Sequence, residues 1–112
     1  NDWNSNIFIS IHCNAANTIA KGTECLIYSL GGESEVLANY IQNQIINSLN
    51  TVDRGIKVRP ELTVLKRTHM PAVLIETAFI DNDEDALLLI NNTDDFAAAI
   101  ARGITDYASA IK

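Results

Sequence analysis

The sequence predicts an α/β fold with a central, mostly parallel sheet and helices on both of its faces. Short runs of branched apolar residues, too apolar for a strand with one face in water, are typical of strands buried between two layers. Other segments are longer, and their apolar residues recur at helical spacing. The elements follow as strand, strand, helix, strand, strand, helix, helix, without an internal repeat or a linker. We therefore expect residues 1–112 to form a single domain.

The first half of the chain contains two predicted strands and one predicted helix. Residues 7–11 (IFISI) open the first strand, and residues 23–29 (TECLIYS), which favour strand structure, form the second. Residues 34–49 form a helix with one apolar stripe and a wet face of asparagine and glutamine. The stripe consists of Val36, Leu37, Tyr40, Ile41, Ile45 and Leu49. The polar segment 50–61 contains a glycine and a proline, and is predicted to be a loop.

The second half contains two more strands and two helices. Residues 62–67 (LTVLKR) and 72–80 (AVLIETAFI) are the predicted strands. The acidic run 81–85 suits a helix N-terminus and lacks the glycine and spacing of a calcium-binding EF-hand loop, so we expect it to begin a short helix. Thr93 can cap the last helix. Its buried stripe is predicted to be Phe96, Ile100, Gly103, Ile104, Tyr107 and Ile111.

Composition and charge exclude several classes of function. A formal charge of −6 argues against binding of nucleic acid, which requires clustered lysine and arginine. No apolar run approaches the length of a membrane-spanning helix, and no signal peptide opens the chain. The two cysteines, Cys13 and Cys25, form no CxxC motif, so we expect two small thiols. Cys13 follows His12 directly, and neighbours on a strand point to opposite faces, so these two make a poor nucleophile pair.

Two polar residues stand where the strands should be apolar. His12 comes where the first strand should be running out, and is either a hydrogen-bonded structural histidine or a zinc ligand. Glu76 interrupts an apolar strand, and a buried carboxylate needs a partner. That partner is either a cation, such as Arg54, Arg59 or Lys66, or a catalytic site. An imidazole and a carboxyl group at the ends of buried strands are the components of metal-assisted hydrolysis.

Two further residues are weaker candidates. Asn14 either lines a pocket or makes a turn through its side chain. His69 lies in a proline-containing turn and is most simply a surface residue.

Four segments of the chain, in order, resemble the zinc-dependent N-acetylmuramoyl-L-alanine amidases of the type-3 family. They are FISIHCNA, KGTECLIYS, VLKRTHMPAVLIETAFIDN and FAAAIARGITDY. The combination of S-I-H-x-N with a later P-A-V-L-I-E-T-x-F-I is specific, and the similarity runs from about residue 7 to residue 107. Members of this family are bacterial and phage-borne peptidoglycan hydrolases, which include autolysins and endolysins.

The resemblance implies a fold, a reaction and a set of site residues. The family fold is a central sheet flanked by helices, with zinc held by two histidines and one glutamate. By position, His12 matches the second zinc histidine, and Glu76 matches the glutamate that acts as the catalytic acid/base. Asn14 is the predicted substrate-binding residue. The reaction cleaves the amide between N-acetylmuramic acid and the L-alanine of the stem peptide, so the partner is peptidoglycan. Location would be the bacterial cell wall or the extracellular space, or the enzyme would be a phage-encoded lysis protein.

The sequence also departs from the family pattern. No residue matches the first zinc histidine or the zinc glutamate, so we expect this chain to be the C-terminal part of an amidase catalytic domain, without its N-terminal strands and with Asn1 as a cut end. With an incomplete zinc site, the chain alone should be inactive. A sheet edge left exposed could support self-association. The alternative is a noncatalytic cell-wall-binding or interaction module with the same fold.

Overall fold

The computed structural model describes residues 7–66 and 70–111, and these form four strands, three α-helices and one short 3-10 helix. In chain order they are β1 (Phe8–Asn14), β2 (Thr23–Ile27), α1 (Glu33–Leu49), β3 (Asp53–Val58), the 3-10 helix (Thr63–Lys66), β4 (Ala72–Phe79), α2 (Asp83–Asn91) and α3 (Thr93–Ala110). None of these helices has the length and apolarity that crossing a membrane would require.

The four strands form one sheet in the order β1-β4-β2-β3. β1 is parallel to β4 and β2 is parallel to β3, whereas β4 and β2 are antiparallel. Two of the three pairings are therefore parallel, which confirms the predicted α/β fold with a mostly parallel sheet. β1 and β3 are the two edge strands, and β1 carries an exposed apolar side chain, Ile11.

The two faces of the sheet are covered differently. Because side chains alternate along a strand, Ile27 and Ile75 lie on one face and Leu26 and Leu74 on the other. The first face packs against the apolar residues of the three α-helices. The second, here called the site face, carries a smaller apolar cluster to which the 3-10 helix contributes Leu65. The described α-helices thus pack on one face and leave the site face to shorter elements, whereas the sequence predicted helices on both faces.

Three of the sequence predictions about local structure are wrong. Thr93 does not cap α3, because the N-cap is Asn92 and the Thr93 hydroxyl, already inside the helix, donates to the Leu89 carbonyl. Segment 50–61, predicted to be a loop, contains β3, because parallel pairing with β2 outweighs the weak strand preference of its glycine and charged residues. Residues Thr63–Lys66 form a 3-10 helix where a strand was predicted. Its spacing of three places both Leu62 and Leu65 on the site-face cluster, which alternation along a strand would not do. Arg67, the last residue of that predicted strand, lies outside the described residues.

Helices α1 and α3 pack closely because α3 presents a glycine to its neighbour. Gly103 is buried, and a Cβ placed there would lie 2.6 Å from the Cα atom of Ile41 on α1. The predicted stripe of α3 is confirmed, since Phe96, Ile100 and Tyr107 are buried along with Gly103. The two other residues of that stripe, Ile104 and Ile111, are partly buried against the same core.

Replacing Gly103 with alanine should therefore destabilise the chain. Glycine-to-alanine changes inside helices normally raise stability by about 1 kcal/mol. Here the new methyl group meets backbone that cannot move aside, so the overpacking cost lies in the upper part of its range, about 2–3 kcal/mol. We expect a net loss of about 1–2 kcal/mol in urea unfolding. Thr105→Ala on the exposed face of α3 is the control and should change stability by less than about 0.5 kcal/mol. A Gly103→Ala chain as stable as the parent would contradict the tight packing.

The two thiols are free and differ in environment. Cys13 is exposed on β1, whereas Cys25 is fully buried in the main core. Burial raises the pKa of the Cys25 thiol to about 12, and the carboxylates of Glu24 and Asp53 add to the effect. Cys25 is therefore an unreactive core residue.

The loop between β1 and β2 is fastened to the start of α2 by acidic and amide side chains. Asn82 caps α2 by accepting a hydrogen bond from the backbone N–H of Asp85. The Asp85 carboxylate, which is buried, accepts from the N–H groups of Gly22 and Phe79, both at 2.8 Å. Asp81 accepts from two further N–H groups of the loop. The acidic run thus begins a helix, as predicted, and also fixes the loop next to it.

Candidate active site

Three acid–base side chains lie in a row across three neighbouring strands. His12 on β1 pairs in register with Glu76 on β4, and Glu76 pairs in register with Glu24 on β2. Adjacent strands lie about 4.8 Å apart, so the three side chains are close neighbours. By alternation, Glu76 shares its face with Leu74 and Glu24 shares its face with Leu26, which is the site face. The structure thus brings His12 and Glu76 together across 64 residues of sequence.

Glu76 is a half-buried carboxylate whose neighbours on the adjacent strands are other acid–base groups. Burial raises its pKa, the Glu24 carboxylate raises it further, and His12 opposes these effects. Its Oε1 atom is buried and has no hydrogen-bond partner within the described part of the chain. In residues 7–66 and 70–111, Glu76 forms no ion pair with Arg54, Arg59 or Lys66, the cations considered as its partners.

Glu24 is a site residue that the sequence analysis missed. Its side chain is 8% exposed, and it is held by side chains from β1 and β3. Asn14 Nδ2 donates to Oε2 at 3.2 Å, Arg54 Nε donates to Oε1 at 3.3 Å, and Lys57 Nζ lies 3.5 Å from Oε1. The pattern that could have identified it is the one that identified Glu76, a glutamate inside an apolar strand, here TECLI.

The other predicted site residues have definite local contacts. His12 is exposed, and its Nε2 atom lies 2.9 Å from the Ser10 hydroxyl. The Asn14 side chain accepts from the N–H of Ala15 at 2.9 Å while its amide donates to Glu24, so it serves both a turn and the site. Substrate binding by Asn14 stays a prediction. His69 lies outside the described residues.

The donor set around the row does not complete a zinc site. Zinc in a catalytic site takes three protein ligands, most often histidine, cysteine or a carboxylate. In the described portion of the chain, no group of three such side chains is arranged to hold a metal ion. His12 is exposed, and by itself it would supply one of the three ligands that are needed.

Comparison with known proteins gives one consistent result. The family model for N-acetylmuramoyl-L-alanine amidase, Amidase_3, matches residues 1–106. An uncharacterized cell wall amidase of Bacillus anthracis is 40% identical over 111 residues, which cover 90% of this chain and 21% of that protein. The sporulation-specific N-acetylmuramoyl-L-alanine amidase of Bacillus subtilis is 35% identical over 104 residues, which cover 92% of this chain and 39% of that protein.

A solved structure agrees with these sequence relatives. The CwlD amidase from Clostridioides difficile, solved in complex with the GerS lipoprotein, matches with a TM-score of 0.88 and 32% identity. The match covers 97% of this chain and 57% of that one. The chain therefore spans a fifth to two fifths of the two curated relatives and somewhat more than half of the solved chain.

Proposed function

The chain belongs to the N-acetylmuramoyl-L-alanine amidase family Amidase_3, and from this premise we propose that it is part of a peptidoglycan hydrolase. The bond cleaved is the amide between N-acetylmuramic acid and the L-alanine of the stem peptide. The proposed product is a free peptide whose N-terminus is L-alanine. The observation that carries the proposal is the row of His12, Glu76 and Glu24 on adjacent strands of the site face.

Glu76 is the proposed general acid/base. Amide hydrolysis needs one group that removes a proton from the attacking water and returns a proton to the leaving amine. A carboxyl group works best in this role when its pKa lies closer to neutrality than that of a solvated glutamate. Burial and the neighbouring carboxylate move the pKa of Glu76 in that direction. The Oε1 atom is buried without a partner among the described residues, which disfavours the charged form of the carboxyl group.

Glu24 is the proposed positioning partner of Glu76. Its carboxylate is fixed by donors from β1 and β3, so it cannot turn away from β4. Held there, its negative charge disfavours ionisation of Glu76 and raises the pKa of that carboxyl group. Two carboxyl groups with unequal surroundings are a common arrangement for acid–base chemistry near pH 7.

We propose that His12 is this segment's contribution to a zinc site whose other ligands lie outside these 112 residues. The described residues do not fit a complete zinc site. The proposal is supported by the exposed imidazole beside Glu76 and by the partial span, 57%, of the solved amidase chain. On this view the chain is the C-terminal part of a catalytic domain, and alone it is inactive.

The zinc assignment predicts a loss that is specific to one histidine. In the longer protein that contains this segment, His12→Ala should lower zinc affinity at least tenfold and abolish release of stem peptides from purified peptidoglycan. His69→Ala removes the only other histidine of the sequence and should leave both properties unchanged. Zinc content is measured by metal analysis after dialysis. Equal zinc content in the His12→Ala and parent proteins would overturn the assignment.

A second candidate function is a noncatalytic module that binds the cell wall. It is favoured by the absence of a three-ligand metal cluster from the part of the chain that the structure describes. The two functions differ in the fate of the wall: a module sediments with peptidoglycan and leaves it intact, whereas the amidase releases soluble stem peptides. Stem peptides released by the longer protein, but not by the 112-residue chain, would support the amidase.

Location and self-association follow from the same proposal. An enzyme that cleaves peptidoglycan works at the cell wall, either in the bacterium that makes it or, if phage-encoded, in the host. Self-association is proposed through β1, which is an edge strand of the described sheet and presents unpaired backbone groups beside the exposed Ile11.

A further inference from the structure

Arg54 lies next to the acid–base row and is held there from two sides. Its Nε atom donates to Glu24 Oε1 at 3.3 Å, and its Cζ atom lies 4.9 Å from the centroid of the Phe79 ring. Stacking on an aromatic ring and pairing with a carboxylate both hold a guanidinium group in place. Arg54 is therefore a fixed cation beside the site.

The guanidinium group of Arg54 has donors that no described residue uses. An arginine side chain carries five N–H groups, and here the hydrogen bond to Glu24 engages only the one on Nε. In residues 7–66 and 70–111, no acceptor takes a hydrogen bond from the two terminal nitrogens of Arg54. The side chain is 34% exposed, so these donors are within reach of a ligand. The neighbouring Lys57, in contrast, donates to the Arg54 carbonyl and lies against Glu24.

Three other cations of the described chain have contacts away from the row. Arg59 follows the opposite end of β3 and donates to the Val58 carbonyl. Arg102, on α3, donates to side chains of α1. Lys21 pairs with Glu84 at the start of α2. Arg54 is thus the arginine that combines a position beside the row with unused donors.

We propose that Arg54 binds a carboxylate of the stem peptide. The group is the α-carboxylate of the residue that follows L-alanine, in stem peptides whose chain continues through the side-chain carboxyl of that residue and so leaves the α-carboxylate free. This inference rests on the proposed function. The terminal nitrogens of a guanidinium group match a carboxylate with two parallel hydrogen bonds. β4 and β3 are separated by two strand spacings, about 10 Å. With the scissile bond at Glu76, a carboxylate one residue further along the peptide lies about 3.5 Å or more from that bond. The long arginine side chain spans the remaining distance to the carboxylate.

The test uses two muropeptides that differ at one group. In one, the α-carboxylate of the residue after L-alanine is free; in the other, it is amidated. The parent longer protein should cleave the free form with a kcat/KM about 10- to 100-fold higher, because a charge-assisted pair is lost with the amide. R54Q should remove that preference: kcat/KM falls on both forms because Glu24 loses a donor, and it falls about 10- to 100-fold further on the free form, mainly through KM. R54K, which keeps the charge without the fork, should retain part of the preference.

R59Q is the matched control, with the same change of charge beyond the other end of β3, and should keep the full preference of the parent. If the parent enzyme cleaves both forms equally well, Arg54 is not a carboxylate receptor, and this result needs no variant. If R54Q lowers kcat/KM equally on both forms, Arg54 acts through Glu24 instead. Both results overturn the inference and leave the proposed function standing. If the parent protein cleaves neither muropeptide, the proposed function fails and the inference fails with it.

Discussion

Replacing Glu76 with glutamine should lower the amidase activity of the longer protein by about 10²- to 10⁴-fold, the usual contribution of general acid–base catalysis. Glutamine keeps the size of the side chain and removes its ability to accept and return a proton. Glu76 faces His12 and Glu24 on adjacent strands, so no other described residue occupies its place in the row. Activity is measured as release of soluble stem peptides from purified peptidoglycan.

The fold should survive this replacement, because the ionised Glu76 destabilises it. A carboxyl group whose pKa is raised in the folded state costs stability as the pH rises above its unfolded pKa. A neutral amide avoids that cost, so Glu76→Gln should be at least as stable as the parent near pH 7. Glu61→Gln, at an exposed turn after β3, is the control and should keep full activity. Activity within threefold of the parent for Glu76→Gln would rule out the acid/base role.

Replacing Asp85 with alanine should produce the largest loss of stability. Its carboxylate is buried and accepts hydrogen bonds from the N–H groups of Gly22 and Phe79. Each buried N–H group left without an acceptor costs about 1–3 kcal/mol, so the expected loss is about 2–6 kcal/mol. Gly22 ends the loop that leads from β1 to β2, and Phe79 ends β4. The change therefore loosens the frame around the row. Thermal or urea unfolding measures the loss.

Two variants separate this effect from simple loss of charge at a helix start. Asp83→Ala removes an exposed carboxylate from the same turn and should cost less than about 1 kcal/mol. Asp85→Asn keeps an oxygen that can accept and should fall between the parent and Asp85→Ala. If Asp85→Ala and Asp83→Ala lose equal stability, the buried network is not what fixes the loop.

The sequence predicts part of the site because two polar residues occur within apolar strand segments. A histidine near the end of an apolar strand and a glutamate inside another are visible without coordinates, because burying them requires a partner. Glu24 also lies within an apolar strand. That strand has only five residues and follows a glycine-containing loop, so a polar residue near its start is not unusual. Which carboxylates meet depends on strand order, and β4 lies between β1 and β2 through contacts far apart in sequence.

The failure to predict β3 as a strand has a physical reason. The β3 sequence DRGIKV contains a glycine and three charged residues, which local preference assigns to a loop. It is a strand because it pairs with buried β2. Two of its charged side chains, those of Arg54 and Lys57, pair with the Glu24 carboxylate. The helices were predicted well, because α1 and α3 carry long apolar stripes that local periodicity alone defines.

We propose that this fold places an imidazole and two carboxyl groups where they serve cleavage of the amide between N-acetylmuramic acid and L-alanine. Analysis of the new chain ends in peptidoglycan digested with the longer protein tests it most directly. We predict new N-terminal L-alanine and no new reducing sugar ends. New reducing ends, or new N-termini at any other residue, would contradict the claim.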